Sequence, residues 1–165
     1  MQKKFLFALL PIFLLACNFL FPPARPQGTF QTPSTEKYVI SRIHTADGDL
    51  MTQLASEAAK AKTLGLAPFI EFDASWCPSC VAVTESIEAG DASTLQAFAG
   101  VYLIRADVDE WGWGDGRNFD FNAIPIYYQL DESGNPTGAV IDGGAWGEDI
   151  PENFGPVLNE FFHTR

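Results

Sequence analysis

The chain has 165 residues and a formal net charge of −11, from 21 acidic and 10 basic side chains. This length suits one domain of ordinary size that contains a sheet covered on both faces. Such an acidic chain repels nucleic-acid phosphates and anionic lipid headgroups, so we expect no nucleic-acid partner.

The first 17 residues predict a signal peptide. Two lysines form its positive start, and residues 5–16 are apolar but short for a membrane span. Residues 14–17, Leu-Leu-Ala-Cys, resemble the lipobox of bacterial lipoproteins, which implies cleavage before Cys17 and acylation of that residue. The alternative is an uncleaved signal-anchor helix over residues 5–21. In both cases we expect an extracytoplasmic protein held at a bacterial cell membrane or outer membrane.

Residues 18–37 predict a tether, because their four prolines and their polar residues cannot bury enough apolar surface to order themselves. The domain that follows is expected to cover residues 38–165. With Cys17 acylated, this domain keeps only Cys77 and Cys80. No structural disulfide framework would then accompany that pair.

Apolar and alternating segments predict five strands, at residues 38–43, 67–73, 101–107, 126–130 and 139–141. Turn-forming residues at 131–138 join the last two strands as a hairpin. The third strand is expected to run parallel to the second, since crossover connections are right-handed.

Three helical regions are predicted between and after these strands. The first is capped by Asp47 or Asp49 and ends at Gly65. The second covers residues 81–88, breaks at Gly90, and restarts at the capping-box pattern formed by Ser93 and Gln96. A last helix over residues 151–162 closes the sheet.

Cys77 and Cys80 form a Cys-x-x-Cys pair at the start of a predicted helix. Backbone N–H groups and the helix dipole stabilise a thiolate at that position. We therefore expect Cys77 to attack a disulfide, and Cys80, one turn later, to resolve the mixed disulfide. Zinc binding is the alternative for such a pair, but the chain has only one further cysteine and two histidines. We therefore expect no metal site.

From about residue 38 onward, three motifs make the chain resemble the thioredoxin family. These motifs are Phe72-x-Ala-x-Trp-Cys-x-x-Cys80, the strand end Ala-Asp-Val-Asp at 106–109, and Ile124-Pro125 before the hairpin. The pattern is most similar to exported members such as the C-terminal domain of the transmembrane reductase DsbD. The resemblance implies a thioredoxin-like three-layer α/β fold, with a central mixed sheet flanked by helices and one middle helix replaced by a Trp/Gly-rich loop. It implies no cofactor beyond the redox-active disulfide.

The resemblance also implies roles for residues around the cysteines. It implies a cis peptide bond before Pro125, and substrate contacts from Trp76, Ile124 and Pro125. It places Glu71 as a buried carboxylate that accepts the proton of the resolving cysteine through water. A solvated glutamate at the sheet edge is the alternative. Arg105 falls where many members carry a lysine that faces this acid.

Residues 111–121 depart from the family pattern, because three glycines and two tryptophans near the start of this segment cannot form a stable helix. Trp111, Trp113 and Phe119 offer apolar surface there. This surface could bind a partner protein beside the cysteines, or the aromatic rings could simply cover the core. Both interpretations remain open at this point.

Together these features predict an exported, membrane-tethered thiol–disulfide oxidoreductase that reduces disulfides of other exported proteins. The expected partners are cysteine-containing exported proteins and an electron donor of membrane or thioredoxin type, and a monomer is expected. Disulfide oxidase or isomerase activity is one alternative. A non-catalytic thioredoxin-like binding module is another.

Overall fold

A computed structural model describes residues 37–164. The described part is built around a mixed five-stranded sheet in the order β1-β3-β2-β4-β5. The strands are β1 (Val39–Ile43), β2 (Ala67–Asp73), β3 (Val101–Asp107), β4 (Ile126–Leu130) and β5 (Pro136–Asp142). β3 pairs in parallel with β1 and β2, while β4 pairs antiparallel with β2 and with β5. The five predicted strands are confirmed.

The last strand starts earlier than the sequence pattern predicted, at Pro136 instead of residue 139. Asp131 tightens the preceding turn, because its side chain accepts the backbone N–H groups of Ser133 and Asn135. Strand pairing therefore resumes at once, with Pro136 opposite Leu130.

The described helices are α1 (Leu50–Leu64), α2 (Pro78–Glu88), α3 (Ala92–Phe98), α4 (Val108–Trp111) and α5 (Pro151–His163). Asp49 caps α1 by accepting the N–H of Thr52, and Gly65 ends this helix at φ +70°. Both features were predicted.

The predicted start of α3 was wrong. Asp91 caps this helix by accepting the N–H of Thr94 at 2.9 Å. Ser93, the predicted cap, already lies within the helix. An aspartate placed directly before the first helical residue satisfies the same N–H group, so the capping-box pattern two positions later is not used.

Helices cover both faces of the sheet and give the predicted three layers. Side chains alternate along β2, so Ile70 and Phe72 join an apolar cluster with residues of α1, while Phe69 joins a second cluster with residues of α2, α3 and α5. The two cysteines belong to the first cluster.

A single helical turn, α4, ends at Trp111, the first residue of the segment that was predicted to be a loop. The Asp107 side chain accepts the N–H of Asp109 at the start of this turn, and Gly112, at φ +76°, follows its end. The irregular segment therefore begins at Gly112 and not at Trp111.

The predicted signal peptide, including Cys17, lies outside the described residues, as does the predicted tether apart from Lys37. The domain boundaries therefore stay predictions. Within residues 37–164, each helix is too short or too polar to cross a membrane.

Candidate active site

The candidate active site is the disulfide between Cys77 and Cys80 at the start of α2. Cys77 is the N-cap residue, and its sulfur accepts the backbone N–H of Cys80 at 3.2 Å. Pro78 occupies the first helical turn, where the lack of an N–H group leaves no hydrogen bond unmade. A thiolate on Cys77 would thus meet a backbone donor and the positive end of the helix dipole.

The peptide bond between Ile124 and Pro125 is cis, as predicted. Pro125 is buried, and its carbonyl accepts the N–H of Gly143 at 2.9 Å. Ile124 packs against the apolar cluster that contains both cysteines. A Cβ atom at Gly143 would lie 3.1 Å from Cδ of Pro125, so glycine allows the close approach of these two segments.

Glu71 is completely buried in β2 and is hydrogen-bonded through both carboxylate oxygens. Arg105 donates from Nε to Oε2 at 2.6 Å, and Tyr127 donates from its hydroxyl to Oε1 at 2.8 Å. Burial raises the pKa of Glu71, while the charge of Arg105 opposes this shift. The predicted burial and the pairing with Arg105 are confirmed. The catalytic role of Glu71 stays a prediction, because no described hydrogen bond joins it to a cysteine.

Trp76, the residue before Cys77, is 55% exposed, and its Nε1 donates a 2.9 Å hydrogen bond to Oδ2 of Asp109. Its ring centroid lies 6.4 Å from that of Trp113, which is 46% exposed. The two indoles thus form an exposed apolar surface next to the first cysteine. We refer to Trp76 and Trp113 as the tryptophan pair.

The other two aromatic residues singled out in this segment face inward. Phe119 is fully buried, with its ring centroid 5.2 Å from that of Phe72 and 5.1 Å from that of Tyr128. Trp111 is half-buried and donates from Nε1 to the carbonyl of Ile43 at 3.2 Å. Trp111 and Phe119 therefore cover the core, and only Trp113 of the three remains on the surface.

Three features together decide the fold. The sheet has the order β1-β3-β2-β4-β5, the disulfide opens the helix that follows the central strand β2, and a cis proline precedes β4. The chain has a thioredoxin-like fold.

No protein-family model matches the chain, and no curated protein matches its sequence. Among solved structures, the chain is similar to a thioredoxin of Trichomonas vaginalis, with 18% identity and a TM-score of 0.41 over 62% of this chain and 84% of that one. It is also similar to oxidised thioredoxin O1 of Arabidopsis thaliana, with 17% identity and a TM-score of 0.37 over 64% of this chain and 86% of that one. A third similar structure is a disulphide isomerase of Xylella fastidiosa Temecula1, with 19% identity and a TM-score of 0.47 over 70% of this chain and 89% of that one. The resemblance to the DsbD domain stays a prediction.

In this thioredoxin-like domain, Asp115 organises the segment that departs from the family pattern. Its Oδ1 accepts the backbone N–H groups of Arg117, Asn118 and Phe119 at 2.7–2.9 Å. Partial desolvation raises the pKa of Asp115, but these hydrogen bonds outweigh it and lower the pKa to about 2. The segment is therefore an ordered loop built around one carboxylate.

An open pocket of about 390 Å³ lies beside Cys80. Arg42 and Asp73 line it. Both terminal guanidinium nitrogens of Arg42, Nη1 and Nη2, donate to the nearly buried carboxylate of Asp73, Nη1 at 2.9 Å. Our sequence interpretation missed this pair. The available signal was a charged residue, Asp73, at the end of an apolar strand that leads to the cysteines. Within residues 37–164, no group of three or more His, Cys, Asp or Glu side chains could hold a metal ion.

A second contact missed from the sequence involves Ser79, which lies between the cysteines. Its hydroxyl donates to Oδ2 of Asp149 at 2.7 Å, and Trp146 donates from Nε1 to Oδ1 of the same carboxylate at 3.0 Å. Seventy positions separate Asp149 from Ser79 in the chain. No local sequence pattern could therefore have joined them.

Proposed function

We propose that this protein is a thiol–disulfide oxidoreductase. The observation that carries the proposal is the Cys77–Cys80 disulfide at the N-terminus of α2, where the N–H of Cys80 already points at the sulfur of Cys77. These are the only two cysteines within residues 37–164. The exposed Trp76 directly before them offers an apolar contact for a partner.

Reduction of a partner disulfide would take place in two steps. The thiolate of Cys77 attacks one partner sulfur, the partner S–S bond breaks, and the second partner sulfur leaves as a thiolate. Cys80 then passes its proton to solvent in the open pocket beside it, and its thiolate attacks the sulfur of Cys77. This attack releases the remaining partner thiolate and closes the Cys77–Cys80 disulfide. Two electrons pass to the partner, and a donor dithiol must supply two electrons to regenerate the reduced pair.

Variants of the two cysteines test this function. Cys80→Ser should trap partners as mixed disulfides on Cys77, because the resolving thiol is absent. Cys77→Ser serves as the matched control and should trap none. If a reducing agent does not release the partners that Cys80→Ser retains, they are bound without a mixed disulfide. The protein would then be a non-catalytic binding module.

We further propose that the protein acts as a reductant of partner disulfides. Support comes from the likeness of the sequence around Trp76 and Glu71 to reductase-type members of the thioredoxin family. The measurement is the equilibrium of the Cys77–Cys80 couple against a glutathione series. A potential below roughly −230 mV supports a reductant, whereas a value near −120 mV would make the protein an oxidase.

We further propose that the protein is exported and anchored by an acylated Cys17. The pattern of residues 1–17 supports this, and it implies exported cysteine-containing partners and an electron donor of membrane or thioredoxin type. We expect labelled fatty acid to be incorporated into the wild-type chain and not into Cys17→Ala. Equal labelling of both chains would refute acylation at this residue.

A further inference from the structure

We propose that Asp149 is a positioning residue that makes the Cys77–Cys80 pair a stronger reductant. This inference rests on the proposed thiol–disulfide exchange, since it concerns the balance between the reduced and oxidised forms of that pair. Its basis is the 2.7 Å hydrogen bond from Ser79 to Asp149, which fixes a carboxylate against the first turn of α2.

The carboxylate of Asp149 is held in place from two sides. Ser79 donates to Oδ2, and the indole of Trp146 donates to Oδ1. Trp146 is only 6% exposed. Its ring centroid lies 6.2 Å from that of Phe154 and 6.5 Å from that of Tyr127. The carboxylate of Asp149 is therefore fixed in position by its hydrogen bond to a buried side chain.

Among the described residues, no basic side chain forms an ion pair with Asp149. The first turn of α2 has no acidic residue of its own. Asp149 thus brings to this turn a carboxylate that the helix sequence lacks.

A carboxylate at the start of α2 acts on the reduced form of the pair. It competes with the Cys77 thiolate for the helix dipole and repels the thiolate charge. The disulfide form carries no charge on sulfur and is affected less. The reduced form is therefore destabilised relative to the disulfide, which gives a stronger reductant. Other charged groups surround the pair: Asp109 bonded to Trp76, and Arg42, Asp73, Glu85, Arg105 and Asp107 lining the pocket beside Cys80.

The test compares the equilibrium constant with glutathione for the 165-residue chain and two variants. Asp149→Asn keeps the shape of the side chain and removes its charge. Glu148→Gln removes the same charge one residue away, from an exposed side chain with no described hydrogen bond to α2. We expect Asp149→Asn to shift the equilibrium about tenfold toward the reduced pair, equivalent to about +30 mV, and Glu148→Gln to shift it less than twofold.

A second measurement separates the charge of Asp149 from any change in the fold. At 1 M salt the difference between wild type and Asp149→Asn should shrink in part, because Asp149 keeps some contact with solvent and salt screens charges that solvent reaches. If Asp149→Asn does not fold, Asp149→Ser removes the same charge with a smaller side chain and should shift the equilibrium in the same direction.

Three outcomes would overturn the inference: an unchanged equilibrium in a folded Asp149→Asn chain, an equal shift in Glu148→Gln, or an unchanged equilibrium in Asp149→Ser. Each of these leaves the proposed function intact if the wild-type pair equilibrates with glutathione. A wild-type disulfide that is reduced only after unfolding would instead refute the proposed function itself.

Discussion

Arg105 on β3 lies directly beside Glu71 on β2, and its Nε donates a hydrogen bond of 2.6 Å to the glutamate. Glu71 is fully buried, and Arg105 is only 7% exposed. Charges withdrawn from water to this degree depend on each other, because removing one leaves the other uncompensated.

Arg105→Leu should therefore lower the free energy of unfolding by about 3–5 kcal/mol at neutral pH. The loss should be smaller in acid. Burial raises the pKa of Glu71, so its stabilising contribution is complete below the unfolded-state pKa and is lost as pH rises through the folded-state pKa. Without the arginine, the folded-state pKa of Glu71 rises further. Urea denaturation between pH 4 and pH 8 measures both effects.

The matched control is the double variant Glu71→Gln/Arg105→Leu, which has no charge at either position. Its stability should not share the added pH dependence of Arg105→Leu. A pH dependence that persists in the double variant would show that another group is responsible.

Phe119→Ala should destabilise the domain by about 3–5 kcal/mol, because it removes a fully buried ring that packs against two other aromatic rings. The midpoint of urea denaturation, followed by tryptophan fluorescence, measures this. A loss of under 1 kcal/mol would mean that the loop is not part of the core.

Trp113→Ala should leave stability within about 1 kcal/mol of wild type, because this indole is nearly half exposed. Its effect should fall on partner binding through the tryptophan pair. We expect the rate of insulin disulfide reduction to drop several-fold, and the rate of exchange with glutathione to stay unchanged. Leu64→Ala, which trims an apolar side chain 41% exposed at the end of α1, is the control. Equal loss of both rates in Trp113→Ala would contradict a role in partner contact.

Asp115→Asn should remove part of the acid sensitivity of the domain. The folded-state pKa of Asp115 is lowered from 3.8 to about 2, so its contribution is present above the unfolded value and is lost as pH falls through the folded value. Because this carboxylate is largely exposed, screening limits the effect to about 1 kcal/mol. Denaturation curves of both proteins from pH 5 to pH 2 should converge in acid. Parallel curves throughout that range would contradict this assignment.

Local features of the fold could be predicted from the sequence wherever one short segment determined them. The cap at Asp49 and the glycine at Gly65 each act on neighbouring backbone groups, and both are present. The cap of α3 was predicted wrongly, because Asp91 satisfies the same local preference two positions before the capping-box pattern at Ser93.

Contacts between paired strands of the site could be predicted from the sequence, whereas contacts between loops distant in the chain could not. The pairing of Glu71 with Arg105 follows from the register of two parallel strands, which the order of elements suggested. The contact of Ser79 with Asp149 depends on where the segment before α5 packs, and the exposure of Trp113 depends on the turn around Asp115. Such tertiary arrangements leave no periodic trace in the sequence.

Cys77 and Cys80 are each only 3% exposed in the disulfide form. Only a small part of this disulfide is open to an incoming thiolate, so we expect a cysteine on a protruding segment to reach the bond more readily than one in a recessed surface. We therefore expect the shape of the incoming protein around its cysteine to contribute to the choice of donors and partners.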